Sequence, residues 1–488
     1  MFLSMKNKIL ALFGSISEML AEIGKMTDKR RAIEDCSAAL AAILNQLNKE
    51  ESSLQRSKQK LLEIQAEFAA LYSDASLINN IAIKTLDQQV EVLREIVAAE
   101  IKPKLKIVFF PYKASMWDSL ETIYEAAAID PDCEAKVVPI PYYQIAGDKE
   151  IPTYEGNQFP AHIPITHYNE YDLAYEEPDV IYVHNIYDQY NTITRVHEVF
   201  FTSNLKQYTG MLVYVPYHIS SFIAPSEGEK SLAYNIPTIH NVDRVVLVND
   251  TLKEAAIRDG VPKEKLLVLG TPKLDGMLRA LRSNEQAYPE EWKERVKGKK
   301  VFVFETPCLM FAQNFFQRFE KMMEIFNLPH MVDNSILIWR PHPLTEASIY
   351  KYTPVFSEYY TNLIRSIKEG DSLYSHIIFD ESPDYFSALK VADMLITCGG
   401  SLLSAYLLTE KPILYWGGQL PEGSLITNDA FYYTVNRELP APEVAKMIGR
   451  GEDPCAHHRK GLASSVYVNA DGTSGVKIYQ AIKDSLLV

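Results

Sequence analysis

The chain lacks any long apolar run. Nowhere in its 488 residues is there anything close to the ~18 consecutive apolar residues that a membrane-spanning helix requires. Cysteine is also scarce, with five scattered residues and no C-x-x-C pair. That usage is typical of reduced thiols in a cytosolic protein and argues against a disulfide framework. The five cysteines are Cys36, Cys133, Cys308, Cys398 and Cys455.

The chain has fewer basic than acidic residues. Lys and Arg number 49 against 63 Asp and Glu, which gives a net charge of −14. This balance argues against a nucleic-acid-binding protein, because neutralising phosphates requires clustered cations. It leaves room for a small basic pocket that binds a nucleotide. The segment Met1–Lys6 has no charged start, apolar core or small-residue cleavage site of a signal peptide. We therefore expect a cytoplasmic protein.

Residues 1–102 contain no proline and only two glycines, and they show heptad spacing. Apolar residues recur in alternating steps of four and three from Met5 to Met26, and then every seven residues from Ile33 to Phe68. The pattern predicts an α-helical segment that forms a helical hairpin or a modest coiled coil. Its expected role is self-association or docking of a partner.

The first 23 residues allow a second interpretation. Apolar side chains such as Ile9 and Phe13 lie beside Lys6 and Lys8, as in a helix that rests on an anionic membrane surface. Glu18 weakens the basic face of such a helix. Peripheral contact with the inner face of the membrane is therefore the alternative to docking.

From Lys104 onward, short apolar runs alternate with amphipathic helices, which is typical of parallel doubly wound sheets. The predicted strands are 106–110, 135–140, 180–184, 211–216, 244–248 and 266–269, then 301–305, 336–340, 376–379, 394–397 and 413–415. The predicted helices are 116–129, 195–208, 251–259, 311–326, 385–391, 402–409 and 441–448. We therefore expect two tandem Rossmann-like domains, residues 103–290 and 299–488, with a polar connection at 283–299. The stretch Tyr142–Tyr171, rich in Pro, Tyr and His, is expected to be an insertion loop.

In open α/β sheets, ligands bind outside the carboxyl ends of the strands, so two facing domains place a site in the cleft between them. One candidate is the turn after the strand 394–397. Gly399 and Gly400 let the backbone approach a ligand closely. Ser401 would cap the next helix, whose free N–H groups attract a phosphate. The alternative is a tight turn with an ordinary serine cap, and spacing alone does not decide between them.

A second candidate is the segment Trp339–Pro343, at the end of another predicted strand. The planar guanidinium of Arg340 is suited to phosphate. His342 lies between two prolines, which fixes its backbone so that the ring can be aimed. A neutral imidazole donates to phosphate oxygens, and a protonated one also offsets the charge of a leaving group. A lone histidine at a strand end is otherwise often a hydrogen-bonded polar group, but its pairing with Arg340 favours function.

In the first domain, the run Val213–His218 also ends a strand. His218 is a candidate general base because it combines an expected near-neutral pKa with a strand terminus at the cleft. The alternative is that Tyr217 contacts the ligand and His218 does not. Other polar residues are expected to line the cleft: Thr271, Lys273, Asp275, Thr306 and Asp471. Ser474 belongs to an N-cap signature before the last helix and is a further candidate contact to the donor phosphate.

The sequence shows no set of residues with the spacing of metal ligands. The pair His457–His458 lies in a loop-like basic segment without carboxylates at ligand spacing. Neither a G-x-S-x-G nor a Walker A motif is present. We expect no metal and no cofactor beyond a nucleotide-activated donor.

Five short motifs together resemble the CDP-glycerol glycerophosphotransferase family, the teichoic-acid primases and polymerases with a GT-B fold. They are Gly270–Asp275, Arg340–Pro343, Ala392–Ser401, Lys411–Ile413 and Asp471–Ser474. The resemblance implies that an acceptor hydroxyl attacks the β-phosphate of CDP-glycerol and that CMP leaves. It places the nucleotide on the second domain, held by Ser401 and His342, and the acceptor on the first domain with a histidine base. The acceptor would be a lipid- or polymer-linked precursor of the cell wall or capsule.

The chain departs from the family at three points. Cys398–Ser401 replaces an Asp-Tyr-Ser-Ser-like turn, and Ala405 stands where an acidic residue often follows. The first-domain His-Gly motif is absent, so His218 is a positional substitute. Two other functions therefore stay open: a GT-B glycosyltransferase that uses a nucleotide sugar, and a non-catalytic assembly partner that has lost donor binding.

Overall fold

The computed structural model describes residues 1–50, 54–147, 149–219, 222–225, 234–283, 288–382, 385–416, 419–420, 422–433 and 439–487. It begins with four antiparallel helices: α1 (Leu3–Glu22), α2 (Lys29–Lys49), α3 (Gln55–Ser73) and α4 (Asn80–Glu100). Helix α1 packs against α2 and α4, and α3 packs against the same two helices. The four helices therefore close a bundle around a core of their own.

The heptad positions form the interior of this bundle. Leu40, Leu47 and Leu61 are fully buried there, although the regular spacing runs across the break between α2 and α3. The helical prediction is confirmed, but these apolar seams are covered within the same chain. A role of residues 1–102 in self-association or docking stays a prediction that concerns their outer surface.

Peripheral membrane contact stays a prediction, and part of the face proposed for it in residues 1–23 is covered by the bundle. Ile9 and Phe13 are buried in the bundle. The Lys6 ammonium donates to the carbonyls of Ala98 and Ile101, at 2.8 and 2.9 Å. No helix within the described ranges is both long and apolar enough to cross a membrane.

The first α/β domain contains a six-stranded parallel sheet in the order β2-β1-β5-β7-β8-β9. Its strands are β1 (Leu105–Phe110), β2 (Cys133–Val137), β5 (Val180–Val183), β7 (Met211–Tyr214), β8 (Arg244–Leu247) and β9 (Leu266–Val268). Its helices are α5 (Glu121–Ala128), α6 (Leu173–Glu176), α7 (Thr202–Leu205), α8 (Asp250–Arg258) and α9 (Pro272–Arg282). Asn249 caps α8, which spans almost the same residues as the helix predicted at 251–259.

The predicted insertion loop at 142–171 contains a sheet. A three-stranded antiparallel sheet joins β3 (Tyr142–Ala146), β4 (Lys149–Thr153) and β6 (Thr194–Val196). The helix predicted at 195–208 is therefore wrong at its start, which is strand β6, and only the short α7 follows. Pairing between residues about 50 positions apart is a tertiary interaction that local pattern does not record.

The second domain has a six-stranded parallel sheet in the order β12-β11-β10-β13-β14-β15. Its strands are β10 (Lys300–Thr306), β11 (Ser335–Pro341), β12 (Ile377–Phe379), β13 (Met394–Thr397), β14 (Ile413–Tyr415) and β15 (Tyr432–Tyr433). This is the Rossmann order, and its topological switch point lies between β10 and β13. A short helix, α10 (Lys293–Val296), precedes the domain. Its own helices are α11 (Phe315–Phe326), α12 (Leu328–Met331), α13 (Thr345–Tyr352), α14 (Ser357–Lys368), α15 (Phe386–Val391), α16 (Ser401–Tyr406), α17 (Ala441–Gly449), α18 (Ala456–Arg459) and α19 (Leu462–Val466).

The last helix, α20 (Ser474–Leu487), does not belong to the second domain as the boundary 299–488 implies. It packs against α5 and α9 of the first domain. Its residues Ile478, Tyr479 and Ile482 are buried there. The chain therefore passes between the two α/β domains twice.

Candidate functional site

Contacts between the two domains place the carboxyl ends of their sheets on opposite sides of one cleft. The backbone N–H of Ile219 donates to the Ser401 hydroxyl oxygen across this cleft, at 3.2 Å. Nearby, Ile223 pairs with Ser424 of the second domain in an isolated antiparallel bridge. The loop that carries His218 therefore lies against the turn Gly399–Ser401, as expected from the positions of both at strand ends.

The turn Gly399–Ser401 lies at the switch point of the second sheet. Gly399 and Gly400 have φ angles of 122° and 104°, which side-chain-bearing residues rarely adopt. Gly400 is the N-cap of α16, and no side chain caps that helix. The prediction that Ser401 is the cap is wrong, because its hydroxyl oxygen accepts the Ile219 N–H instead.

Glu305, at the end of β10, lies beneath this turn. A Cβ atom built on Gly400 would lie 3.7 Å from its Oε1, and the Thr397 hydroxyl donates to its Oε2 at 2.5 Å. The side chain is only 5% exposed. Burial raises the pKa of Glu305 to about 7, since desolvation disfavours the charged form. Sequence analysis places this carboxyl at cleft level only through its neighbour Thr306 and assigns it no role.

His342 lies at the end of β11 with its backbone N–H donating to the Thr306 carbonyl at 2.8 Å. Its Nδ1 accepts the Leu344 N–H at 3.1 Å, so the neutral ring carries its proton on Nε2. Burial, together with the positive charges of Lys113 and Arg340, lowers the pKa of His342 to about 4. Of the two states considered, the structure therefore favours the neutral imidazole, a hydrogen-bond donor through Nε2.

The guanidinium of Arg340 is engaged within its own domain. It forms an ion pair with Asp380 at 2.6 Å and donates to the Ser382 carbonyl at 2.8 Å. Arg340, His342 and Asp380 line a cavity of about 400 Å³ beside β11 and α14. Phosphate binding by Arg340 stays a prediction, and it would require Arg340 to share its donors with Asp380.

His218 is half-buried, with the Tyr217 ring centroid 5.2 Å from its own. Burial and the charge of Lys273 lower the pKa of His218 to about 4. The near-neutral pKa expected from sequence is therefore wrong for the ligand-free protein. The neutral ring nevertheless carries a lone pair that can accept a proton, as a general base must.

Lys273 is buried in the cleft and forms an ion pair with Asp118 at 2.5 Å. The Tyr385 hydroxyl of the second domain donates to the same carboxylate at 2.8 Å. Thr271 is buried at the N-cap of α9, and its hydroxyl oxygen accepts the Lys273 N–H. Lys273, which was expected to line the cleft, thus belongs to a cluster with Asp118 and Tyr385 that joins the two domains.

Asp275 and Ser474 connect α9 and α20 through hydrogen bonds. The Asp275 carboxylate accepts the N–H groups of Ser474 and Gly475, at 3.1 and 2.8 Å, and the Thr122 hydroxyl at 3.0 Å. A phosphate at the N-terminus of α20 would have to displace this carboxylate. The phosphate contact predicted for Ser474 is therefore wrong, and Asp275, which was expected to line the cleft, caps α20.

The two remaining predicted residues make local contacts. The Thr306 side chain is fully buried, and its hydroxyl oxygen accepts the indole N–H of Trp339 at 3.3 Å. Asp471 is exposed and accepts the N–H and hydroxyl of Thr473, contacts that lower its pKa. Neither side chain is placed to contact a ligand in the way expected.

Sequence analysis missed Lys113, which follows the first strand of the first sheet. Its ammonium lies 3.2 Å from the Tyr142 hydroxyl and 3.4 Å from a carboxylate oxygen of Glu155. Its charge also acts on His342 across the cleft. Its position in the sequence could have revealed it, because Lys113 follows the buried strand β1. In the sheet, β1 lies next to β5, at the switch point of the strand order. His184, at the end of β5, is buried and accepts the Tyr112 N–H, a structural role.

Among the described residues, no group of three or more His, Cys, Asp and Glu side chains is arranged to hold a metal ion. The His457 and His458 rings lie side by side on the surface, with their centroids 3.8 Å apart and their planes 40° apart.

No protein-family model and no curated protein sequence matches the chain. Solved structures do match. One is a protein from Listeria monocytogenes assigned as a UDP-N-acetylglucosamine 2-epimerase, with 14% identity, a TM-score of 0.50, and coverage of 78% of this chain and 96% of that one. Another UDP-N-acetylglucosamine 2-epimerase matches at 11% identity, with the same TM-score and coverage. A variant of the wall teichoic acid polymerase TagF soaked with CDPG matches at 14% identity and a TM-score of 0.50, covering 88% of this chain and 98% of that one. At this level of identity the likeness establishes the fold. The chain therefore has a GT-B fold, two Rossmann-like domains, here preceded by a helical bundle.

Proposed function

We propose that the protein is a transferase that moves glycerol phosphate, or a related group, from a CDP-activated donor to a hydroxyl of a cell-surface polymer or capsule precursor. One observation carries this proposal. The turn Gly399–Ser401, at the switch point of a Rossmann-ordered sheet, faces His218 of the other domain, and His342 ends a nearby strand of the same sheet. Such switch points are where open α/β sheets bind nucleotides.

The chemistry requires a base and a stabiliser of phosphate charge. An oxygen–phosphorus bond forms between the acceptor hydroxyl and the β-phosphate, and the bond to the bridging oxygen breaks as CMP leaves. His218 accepts the hydroxyl proton. His342 donates its Nε2 proton in a hydrogen bond to the phosphate oxygens, where negative charge gathers.

The cationic groups of the cleft favour this assignment. Burial lowers the pKa of both histidines, and the charge of Lys273 at His218 and of Lys113 at His342 lowers it further. A bound diphosphate would offset the positive charge of Lys273, the smaller of the two causes, and so raise the pKa of His218. Donor binding would therefore strengthen the base that the reaction needs.

A nucleotide-sugar enzyme is the second candidate. Two of the structural likenesses are to UDP-N-acetylglucosamine 2-epimerases, and the chain has Ala405 where a ribose-binding carboxylate is expected. Both observations favour a donor other than a cytidine nucleotide. The non-catalytic alternative is favoured by the engagement of Arg340 with Asp380.

A thermal-shift titration with CDP-glycerol, CMP, CDP, UDP and GDP separates these functions. A ligand at about 100 Kd stabilises the folded protein by about 2.7 kcal/mol, which moves the transition visibly. A shift with cytidine nucleotides alone supports the proposal. A shift with UDP or GDP instead assigns the protein to nucleotide-sugar chemistry, and no shift with any of them refutes donor binding.

Turnover then tests the two histidines. With CDP-glycerol and an acceptor, His218→Ala and His342→Ala should each lower kcat by about 10²–10⁴-fold. His457→Ala, in an exposed histidine outside the cleft, is the matched control and should leave kcat unchanged. Unchanged turnover in both cleft variants would rule out the proposed mechanism.

A further inference from the structure

A cavity of about 580 Å³ lies in the first domain beside the three-stranded sheet. Its volume is within the ~300–1,000 Å³ range of ligand sites. We call it the tyrosine pocket, since its walls include Tyr143, Tyr168, Tyr171 and Tyr208, with His197 and Asn169 between them. It is built largely by the segment that the sequence marks as unusually rich in Tyr, Pro and His.

The rings of the pocket are held by neighbouring rings. Tyr143 stacks on His197 with centroids 5.8 Å apart. Tyr168 meets Phe200 edge to face at 6.4 Å, and Tyr171 meets Phe110 in the same way at 5.9 Å. Such supported rings present flat apolar faces at a small cost in conformational entropy.

Polar groups lie at the edges of these rings. Within the described part of the chain, no hydrogen bond occupies the hydroxyls of Tyr143, Tyr168, Tyr171 or Tyr208. His197 accepts the Val199 N–H through Nδ1, so the neutral ring carries a donor at Nε2. The pocket therefore combines apolar faces with hydroxyl, amide and imidazole groups that can each bond a ligand.

The charges around the pocket exclude an anionic ligand. No Lys or Arg belongs to its described lining, and its one carboxylate is Asp172, which caps α6. Two cations that lie over rings of the pocket are already paired. Arg195, over the Tyr143 ring, bonds Glu150 at 2.6 Å, and Lys136, over the Tyr171 ring, bonds Glu176 at 3.0 Å. An uncharged ligand with C–H faces and hydroxyl edges fits these walls, and a saccharide is the class that has both.

The pocket shares a wall with the cleft. Tyr142 belongs to the lining of the pocket, and its hydroxyl donates to Glu155 beside Lys113. Strand β3 also packs against α13, the helix that follows His342. A chain-like molecule that occupies the pocket is thus one side chain away from the cleft.

We propose that the tyrosine pocket binds an uncharged saccharide. In the reaction proposed above, the pocket would hold the part of the acceptor that does not react, and this second role rests on the proposed function.

Binding is tested with the full chain and two neutral probes, maltotriose and triacetylchitotriose, by saturation-transfer NMR and calorimetry. At least one should bind, and Tyr143→Ala and Tyr168→Ala should each weaken that binding by about tenfold or more, since each removes a ring contact. Tyr175→Ala is the matched control, because Tyr175 lies in α6 next to lining residues, is 81% exposed and lies outside the lining. Where an alanine variant fails to fold, Tyr143→Phe keeps the ring, removes the hydroxyl and should still reduce affinity.

Absence of binding by both probes overturns the proposal, as does equal weakening in the pocket variants and in Tyr175→Ala. Nucleotide-induced thermal shifts are recorded on the same samples and should not change in the pocket variants. Saccharide binding without any nucleotide shift would keep the pocket and refute the transferase. A nucleotide-induced shift without saccharide binding would support donor binding and refute the saccharide site in the tyrosine pocket.

Discussion

Replacing Glu305 by Gln should remove a pH dependence from anion binding at the turn Gly399–Ser401. The Glu305 carboxyl has a pKa of about 7, so it is mainly neutral below that pH and mainly ionised above it. Its Oε1 lies 3.7 Å from the position of a Cβ on Gly400. A phosphate on the turn would therefore be about 5–6 Å from it, and a unit negative charge there costs about 3 kcal/mol at an effective dielectric constant of about 20.

Because of this repulsion, the nucleotide binds the molecules in which Glu305 is protonated. That fraction falls from about nine-tenths at about pH 6 to about one-tenth at about pH 8, so affinity should fall about tenfold over this interval. Calorimetry with CDP measures the effect in the wild type and in Glu305→Gln. The ionisation of the ligand itself affects both proteins equally and cancels in the comparison.

Glu443→Gln is the control, because it removes the same charge from the surface of the second domain. It should retain the wild-type pH dependence. The same pH dependence in Glu305→Gln as in the wild type would refute the placement of the phosphate beside this carboxyl.

Folding stability gives a readout that needs no ligand. The pKa of Glu305 is raised from 4.5 to about 7 on folding. In that range the folded state binds more protons than the unfolded state, so stability falls as pH rises from about 4.5 to 7. The wild type should lose about 3 kcal/mol relative to Glu305→Gln across this range and nothing further above it.

Three other predictions concern different parts of the chain. The acid limb of kcat/KM should lie near pH 4–5, because His218 in the free enzyme has a pKa of about 4 and loses its lone pair only below that value; a limb near 6.5 in the pH-rate profile would contradict the environment described. Asp275→Ala should lower the unfolding free energy by about 2–4 kcal/mol, since it leaves two buried N–H groups without acceptors, and exposed Asp471→Ala should change it by under about 0.5 kcal/mol in the same denaturant titration. Phe13→Ala should cost about 3–5 kcal/mol by opening a cavity in the helical bundle, while Leu62→Ala, 55% exposed, should be near neutral; equal losses on thermal unfolding would show that the bundle is not packed as described.

The buried parallel strands could be predicted closely from sequence. The strands at 394–397 and 413–415 have the predicted bounds, because a strand covered on both faces is a continuous apolar run with abrupt polar ends. Strand β4 was missed because Pro152 interrupts its sequence pattern, Lys149–Ile151 are exposed, and the strand lies at the edge of its sheet, paired with β3.

The site was predictable where a role depends on a strand end, and unpredictable where it depends on a distant partner. His218 and Gly399 were found because each follows a buried strand. That Asp275 would cap a helix 199 residues away could not be seen, since no local pattern records that contact. The low pKa values of His218 and His342 have the same origin, because they depend on burial and on lysines that only the folded cleft brings near.

The return of α20 to the first domain has a consequence for how the chain folds during synthesis. The first domain buries Ile478 and Ile482 beside α5, so its hydrophobic core stays incomplete until residues 474–487 have left the ribosome. By then the whole second sheet has been made, and that sheet can form before the domain that precedes it in sequence is finished. The order of completion is thus inverted along the chain. The uncovered face of α5 and α9 is the surface that a chaperone would have to protect in the interval.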